Sequence, residues 1–210
     1  MFARTDPVGR WKARTGILLR VGMLLLALFF PAQVHAAPSA DVYILRGGFG
    51  VFSTGLDKLR KQLKQSGVNA ALVSHEAWRS VAQKIATNQA KNGRQPVVLI
   101  GHSLGANNAV LIADALKKKG VQVDLIVSYA STAPMTVPSN VRNVLNFYFS
   151  AGGWGGLFTG GSGFSGSLNN QDMRGQSGMT HFNVDDDPNL RNQVVSTVLR
   201  YVPPATTQSN

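Results

Sequence analysis

The segment from Gln95 to Leu104, QPVVLIGHSL, constrains the fold more than any other part of the chain. The apolar run Gln95 to Gly101 reads as a strand buried on both faces. It passes directly into Gly101-His102-Ser103-Leu104-Gly105, after which apolar residues recur at helical spacing as far as Lys119. A serine at so sharp a strand-to-helix turn has strained backbone geometry and tolerates only small neighbours, which Gly101 and Gly105 supply. The turn lifts the hydroxyl above the sheet edge and sets it at the positive end of a helix, where free N–H groups favour a developing negative charge. Glycine-rich chains also produce such a pentapeptide by chance, and Gly161 to Gly166 nearly imitates it, but no strand precedes that segment.

The same alternation runs through the rest of the sequence. Asp41 to Arg46 (DVYILR) reads as a second buried strand, ended by Gly47-Gly48, and Asn69 to Ser74 as a weaker third. Gly55 to Gln65 carries Leu56, Leu59 and Leu63 at helical spacing, and Glu76 to Ala90 carries Ala77, Val81 and Ile85. Further on, Val121 to Tyr129 and Val141 to Phe149 read as strands and Asn189 to Tyr201 as a closing helix. This order predicts an α/β fold, a compact and mostly parallel sheet with helices on both faces. Ala151 to Gly166 interrupts it with eight glycines in sixteen residues, plus Trp154, Phe158 and Phe164. The segment is either a connection whose aromatics cover the domain edge or a loop facing substrate. The polar tail from Pro203 to Asn210 reads as a frayed end.

The 210 residues suit a single domain behind a leader. Arg4, Arg10, Lys12, Arg14 and Arg20 precede the apolar run Val21 to Phe30, which is too short to span a bilayer comfortably. The small residues of Val34-His35-Ala36-Ala37 offer a cleavage site after Ala36. The expected organisation is therefore an export signal over 1–36 and one α/β domain over 37–210, placed in the periplasm or secreted. The alternative is an uncleaved anchor over residues 17–30 that associates the chain with a membrane. The chain has no cysteine, so it needs no disulfide. Of the formal net charge of +11, five basic residues and Asp6 fall in the first twenty positions, which leaves the remainder basic as well. Charge of that sign favours anionic surfaces or acidic substrates. The densest cluster, Lys117 to Lys119, instead fits a solvated helix end. No element interleaves basic and aromatic residues, so nucleic acid is not an expected partner. No Walker sequence or G-x-G-x-x-G follows the first strand, and the four histidines are scattered, so neither cofactor nor metal is implied.

Placed between PVVLI and a helix, the pentapeptide around Ser103 resembles the nucleophile elbow of the α/β-hydrolase superfamily of lipases, esterases and thioesterases, over roughly Asp41 to Tyr201. The resemblance implies Ser103 as nucleophile. It also implies oxyanion-hole amides from Gly48, in Arg46-Gly47-Gly48-Phe49 after the first strand, and from Leu104. Arg46 stands where many relatives have histidine, either bonding loop carbonyls or contacting substrate. The superfamily order of Ser, acid, then His points to His181, in Met179-Thr180-His181-Phe182-Asn183 ahead of the last helix, as the general base. His35 lies in the leader, His75 follows an early strand and His102 is the variable elbow residue. The acid departs from the pattern, because Ala130 occupies the position where lipase-like relatives have aspartate. Asp172, nine residues before His181, is the remaining catalytic candidate, while Asp185, Asp186 and Asp187 read as acidic residues at a helix start and Asp124 as structural.

The expected function is that of a serine hydrolase cleaving an ester or thioester through an acyl-enzyme, on a small-molecule or polymeric ester. The alternative is a catalytically idle binding protein of the cell envelope with the same fold. The leader makes one outcome specific: N-terminal sequencing of the mature protein reads Ala37 first, and a membrane-bound product that keeps Met1 establishes the anchor instead.

Overall fold

The computed structural model describes residues 40–48, 54–150 and 155–204, all within a compact unit that spans Ala36–Asn210. The candidate export signal and anchor, Phe49 and Trp154 lie outside the described residues. In chain order the strands are β1 (Asp41–Arg46), β2 (Ala71–Ser74), β3 (Val97–His102), β4 (Leu125–Tyr129), β5 (Met135–Val137), β6 (Asn143–Tyr148), β7 (Phe158–Gly160) and β8 (Ser167–Asp172). The helices are α1 (Thr54–Gln65), α2 (Trp78–Asn92), α3 (Leu104–Lys117) and α4 (Pro188–Leu199).

Six strands form one sheet in the order β2-β1-β3-β4-β6-β8, and every neighbouring pair is parallel. The α/β expectation holds. Because helices cover both faces, the central strands read as continuous apolar runs rather than alternating ones. Along β3, Val98 and Ile100 face a core shared with Leu56, Leu59 and Leu63 of α1 and Val194 and Val198 of α4. Val97 and Leu99 face the opposite core, with Val81 and Ile85 of α2 and Ala109, Ile112 and Leu116 of α3. Burying each of these larger aliphatic side chains contributes about 1.5–3 kcal/mol. This packing fixes β3 at the centre of the sheet and with it the turn at Ser103.

Two parts of the pattern differ from the sequence reading. The fourth strand begins at Leu125, not Val121; Val123 makes only an isolated parallel bridge to Val141, and Asp124 bonds to β3 through its side chain as well as its amide. Its carboxylate accepts from the Val97 amide at 2.8 Å and pairs with Arg94, tying β3 to the start of β4, the structural part expected of it. The other difference is β8, whose sequence SLNNQD carries one apolar residue and no alternating apolar signal. It becomes a strand by pairing with β6, and Asn146 Nδ2 donates to Asn170 Oδ1 at 2.8 Å across the two strands.

Within the glycine-rich segment, β7 pairs in parallel with β5 as a separate two-stranded sheet. Phe158 is buried and Phe164 packs partly buried onto the α2–α3 side of the core, so both aromatics cover the domain edge. Asn170 holds this strap by accepting from the Phe158 amide and donating to the Phe158 carbonyl. A Cβ at Gly156 would lie 2.1 Å from the Ala133 backbone, so the strap can pass there only with glycine.

Candidate active site

The register of the central strands assembles the site. β1 and β3 are paired side by side, Leu45 opposite Gly101, so the glycine turn after β1 arrives next to the elbow after β3. Ser103 has φ 57° and ψ −124°, a conformation rare for a residue with a side chain. Neighbouring glycines permit it. A Cβ on Gly101 would sit 2.3 Å from the Gly105 backbone, and one on Gly105 2.2 Å from the Leu45 carbonyl oxygen. The Ser103 amide donates to the Tyr129 carbonyl at 2.9 Å, pinning the elbow to the end of β4. The Ser103 carbonyl already accepts from Ala106 and Asn107, which leaves the Leu104 amide at the helix start, where no intrahelical acceptor exists for it.

His181 reaches this serine from the loop between β8 and α4. Its Nε2 lies 3.0 Å from Ser103 Oγ, and the residue is only 8% exposed. The loop that carries it is tied down on both sides. Thr180 caps it locally through Asn183 Oδ1, and the acidic run that follows divides into three tasks. Asp187 is the N-cap of α4, accepting from the Asn189 and Leu190 amides with Pro188 in the first turn. Asp186 bonds Lys58 at 2.6 Å and Thr54 at 3.1 Å, which fastens the loop to α1. Asp185 is buried, contrary to the reading of all three as acids at a helix start, and its carboxyl faces inward near Tyr129.

Of the oxyanion candidates, Gly48 and Leu104 come together. A Cβ on Gly48 would lie 3.2 Å from Leu104 Cδ1, and one on Gly47 only 2.9 Å from Ser103 Cβ. Arg46 forms an ion pair with Asp57 at 2.7 Å, binding the end of β1 to α1. Asp172, at the end of β8, lies on the outer edge of the sheet. Its Oδ1 accepts from the Ser150 and Arg174 amides, and Arg174 approaches its Oδ2 at 3.7 Å. Hydrogen bonds from Ser150, and then from the Arg174 amide, hold its carboxyl below the usual carboxylate range. These contacts tie the loop after β6 and do not include the His181 ring. Ala130 is fully buried after β4, with φ 46°. His102, read from the sequence as the variable elbow residue, is buried, and its Nε2 lies 2.7 Å from the His181 carbonyl oxygen. No group of three or more His, Cys, Asp or Glu that could hold a metal occurs among the described residues.

The family model of the Thioesterase domain matches residues 47–144, from the glycine turn through the elbow to the start of β6. That family lies within the α/β-hydrolase superfamily, and the parallel sheet agrees with it. Over that span, a little under half of its length, the chain is similar to the α/β-hydrolases. No curated protein matches it. The matched family is one of thioester and ester hydrolases, and at that coarse level it supports the expected hydrolase activity. The matched span contains Gly48, Ser103 and Leu104, while Asp172 and His181 lie beyond it.

Burial pushes the Asp185 carboxyl up to about 7, with the charge of Asp186 adding to the effect. The backbone amides of Asp185, Leu56 and Gly55 act in the opposite direction, without completing a hydrogen bond of ordinary geometry to either oxygen. The folded chain therefore keeps a proton that the unfolded chain, with an ordinary carboxyl at 3.8, has released. Where the native state binds more protons, stability falls as pH rises. Urea denaturation should show the wild type losing on the order of 2–3 kcal/mol through this group between about pH 5 and about pH 8. Asp185→Asn, which resembles the protonated acid, should remove that part of the slope, and an unchanged slope counts against a proton held at Asp185.

Proposed function

We propose that this protein is a serine hydrolase of the α/β-hydrolase superfamily that cleaves a thioester or ester by forming an acyl-enzyme on Ser103. The observation that carries the reading is the 3.0 Å separation of Ser103 Oγ and His181 Nε2 on a strained elbow at the start of α3. In this reading His181 Nε2 removes the hydroxyl proton as Oγ bonds to the acyl carbon. The carbonyl electrons move onto oxygen, where the amides of Gly48 and Leu104 hold the developing charge. Collapse of the intermediate expels the thiol or alcohol, which takes the proton from His181. Water then repeats the sequence on the acyl-enzyme, returning Ser103 and releasing the acid.

Two exposed apolar side chains flank the reacting pair. Leu104 is 40% and Phe182 55% exposed, and the Phe182 ring meets His181 edge-on with centroids 5.2 Å apart. Apolar surface beside the nucleophile favours an acyl chain over a charged group. The acyl group of this reading is a short chain or that of an exposed polymeric ester. Export of the enzyme to the periplasm or beyond belongs to the same proposal and rests on the basic and apolar pattern of residues 1–36.

A fluorophosphonate should label Ser103, and Ser103→Ala should abolish labelling. A folded wild type that stays unlabelled would establish the idle binding fold instead. Turnover of p-nitrophenyl esters of graded chain length should fall by at least about 10³-fold in Ser103→Ala and in His181→Ala. The double variant should be scarcely worse than either, because members of one catalytic unit are not additive. Multiplicative losses would break the shared mechanism.

Asp172 separates two versions of the reading. An orienting carboxylate in a serine protease contributes about 10⁴ in kcat. The contacts of Asp172 with Ser150 and Arg174 lead us to expect that Asp172→Asn changes kcat less than about threefold. A loss of several orders of magnitude with intact folding would make Asp172 the acid of a triad.

A further inference from the structure

The residue directly before the nucleophile bonds to the residue that carries the base. His102 ends β3 and is only 2% exposed, and its Nε2 lies 2.7 Å from the carbonyl oxygen of His181. A carbonyl oxygen can only accept, so His102 Nε2 must carry the hydrogen, which sets the tautomer of a neutral ring. On its other side the ring faces the turn after β1, where a Cβ on Gly47 would lie 3.4 Å from His102 Nδ1. The two histidine rings are 5.1 Å apart at 42°. One buried side chain thus touches both the glycine turn and the loop that delivers the base.

We propose that His102 is a positioning residue, whose Nε2–H anchors the His181 backbone so that the His181 ring meets Ser103. The inference rests on the Ser103–His181 reading and adds to it a source of orientation that does not use a side-chain acid. It answers a specific feature of this chain, the alanine at position 130. A base on a loop needs its backbone fixed before its ring can hold a 3.0 Å contact, and a misplacement of about 1 Å costs about 10²-fold in rate. Burial also holds the His102 imidazole below its ordinary range, against the opposing pull of its bond to His181. A neutral ring at this place adds no second positive charge beside the imidazolium that forms on His181 during the reaction.

The test uses the full chain with His102→Leu, which keeps bulk and removes the donor, and His102→Gln, which restores an N–H donor. With p-nitrophenyl acetate, His102→Leu should lose about 10- to 100-fold in kcat with KM within about twofold, and the rate of fluorophosphonate labelling should fall in parallel. His102→Gln should recover kcat to within about fivefold of wild type. A merely structural role would lower stability without this split of kcat from KM and without rescue by glutamine. ¹⁵N NMR of the histidine rings in the wild type should find the His102 proton on Nε2. An active His102→Leu variant within threefold of wild type, a glutamine variant as impaired as leucine, or a proton on His102 Nδ1 overturns the inference. If His102→Leu does not fold, the glutamine variant and the NMR spectrum carry the decision. A folded wild type that neither turns over ester nor takes the label overturns the Ser–His reading instead, which separates the two failures.

Discussion

The backbone of one residue, Ser103, governs the arrangement around it. Its φ of 57° and ψ of −124° belong to a region costing of order 1–3 kcal/mol for a residue with a side chain. Such strain persists only where the surroundings over-determine it, and here they do. The Ser103 amide is held by Tyr129, the Gly101 and Gly105 backbones touch where a methyl would not fit, and Gly105 presses on the Leu45 carbonyl. β1, β3, β4 and α3 therefore all converge on one turn. The cores above and below the sheet, built on Ile100 and Leu99, supply the stability that tolerates it.

The His181 loop is fixed by a different kind of force. Its serine partner is set by sheet register, whereas the loop is set by polar ties of Asp186 to α1, Asp187 to the start of α4, and His102 to the His181 carbonyl. Directional bonds suit this task, since a loop has little apolar surface with which to define its own position. Asp185 is the exception among these groups. Its carboxyl is buried beside the Tyr129 hydroxyl, and neither group completes a hydrogen bond of ordinary geometry among the described residues. A buried polar group without a partner costs more than an exposed one, and the carboxyl lowers that cost by holding its proton.

These two forces explain which features were legible in the sequence. β1, β3 and the helices were legible because burial on both sides of a parallel sheet writes itself as apolar runs and helical spacing. So were Ser103 and its glycines, since the turn excludes larger residues. β8 was not, because SLNNQD is a strand through pairing with β6 and through the Asn146–Asn170 bond, neither of which has a local signature. The burial of Asp185 was hidden for a related reason, as three consecutive aspartates look alike until tertiary packing turns one inward and two outward. His102 carried a faint signal. A histidine between a buried strand and the tight turn at Ser103 has little room to face solvent, and that alone argues for a partner inside the fold.

The position after β4 joins a backbone conformation suited to one residue type with the side chain of another. Ala130 has φ 46° and no exposure, and its amide is bonded to the Phe147 carbonyl. The left-handed region suits glycine, asparagine or aspartate and costs alanine about 1–2 kcal/mol. The backbone thus has a conformation natural for the aspartate that the superfamily resemblance leads one to expect, while the side chain carries no carboxylate. Removing that charge from a fully buried slot also removes the need to desolvate it, so stability need not suffer from the exchange. In the proposed Ser–His reading, orientation of His181 then has to come from groups other than position 130. A short neutral bond from His102 to the loop backbone can supply orientation, but it cannot stabilise an imidazolium as a carboxylate does. An enzyme arranged in this way would keep the geometry of the reaction while giving up part of its electrostatic drive.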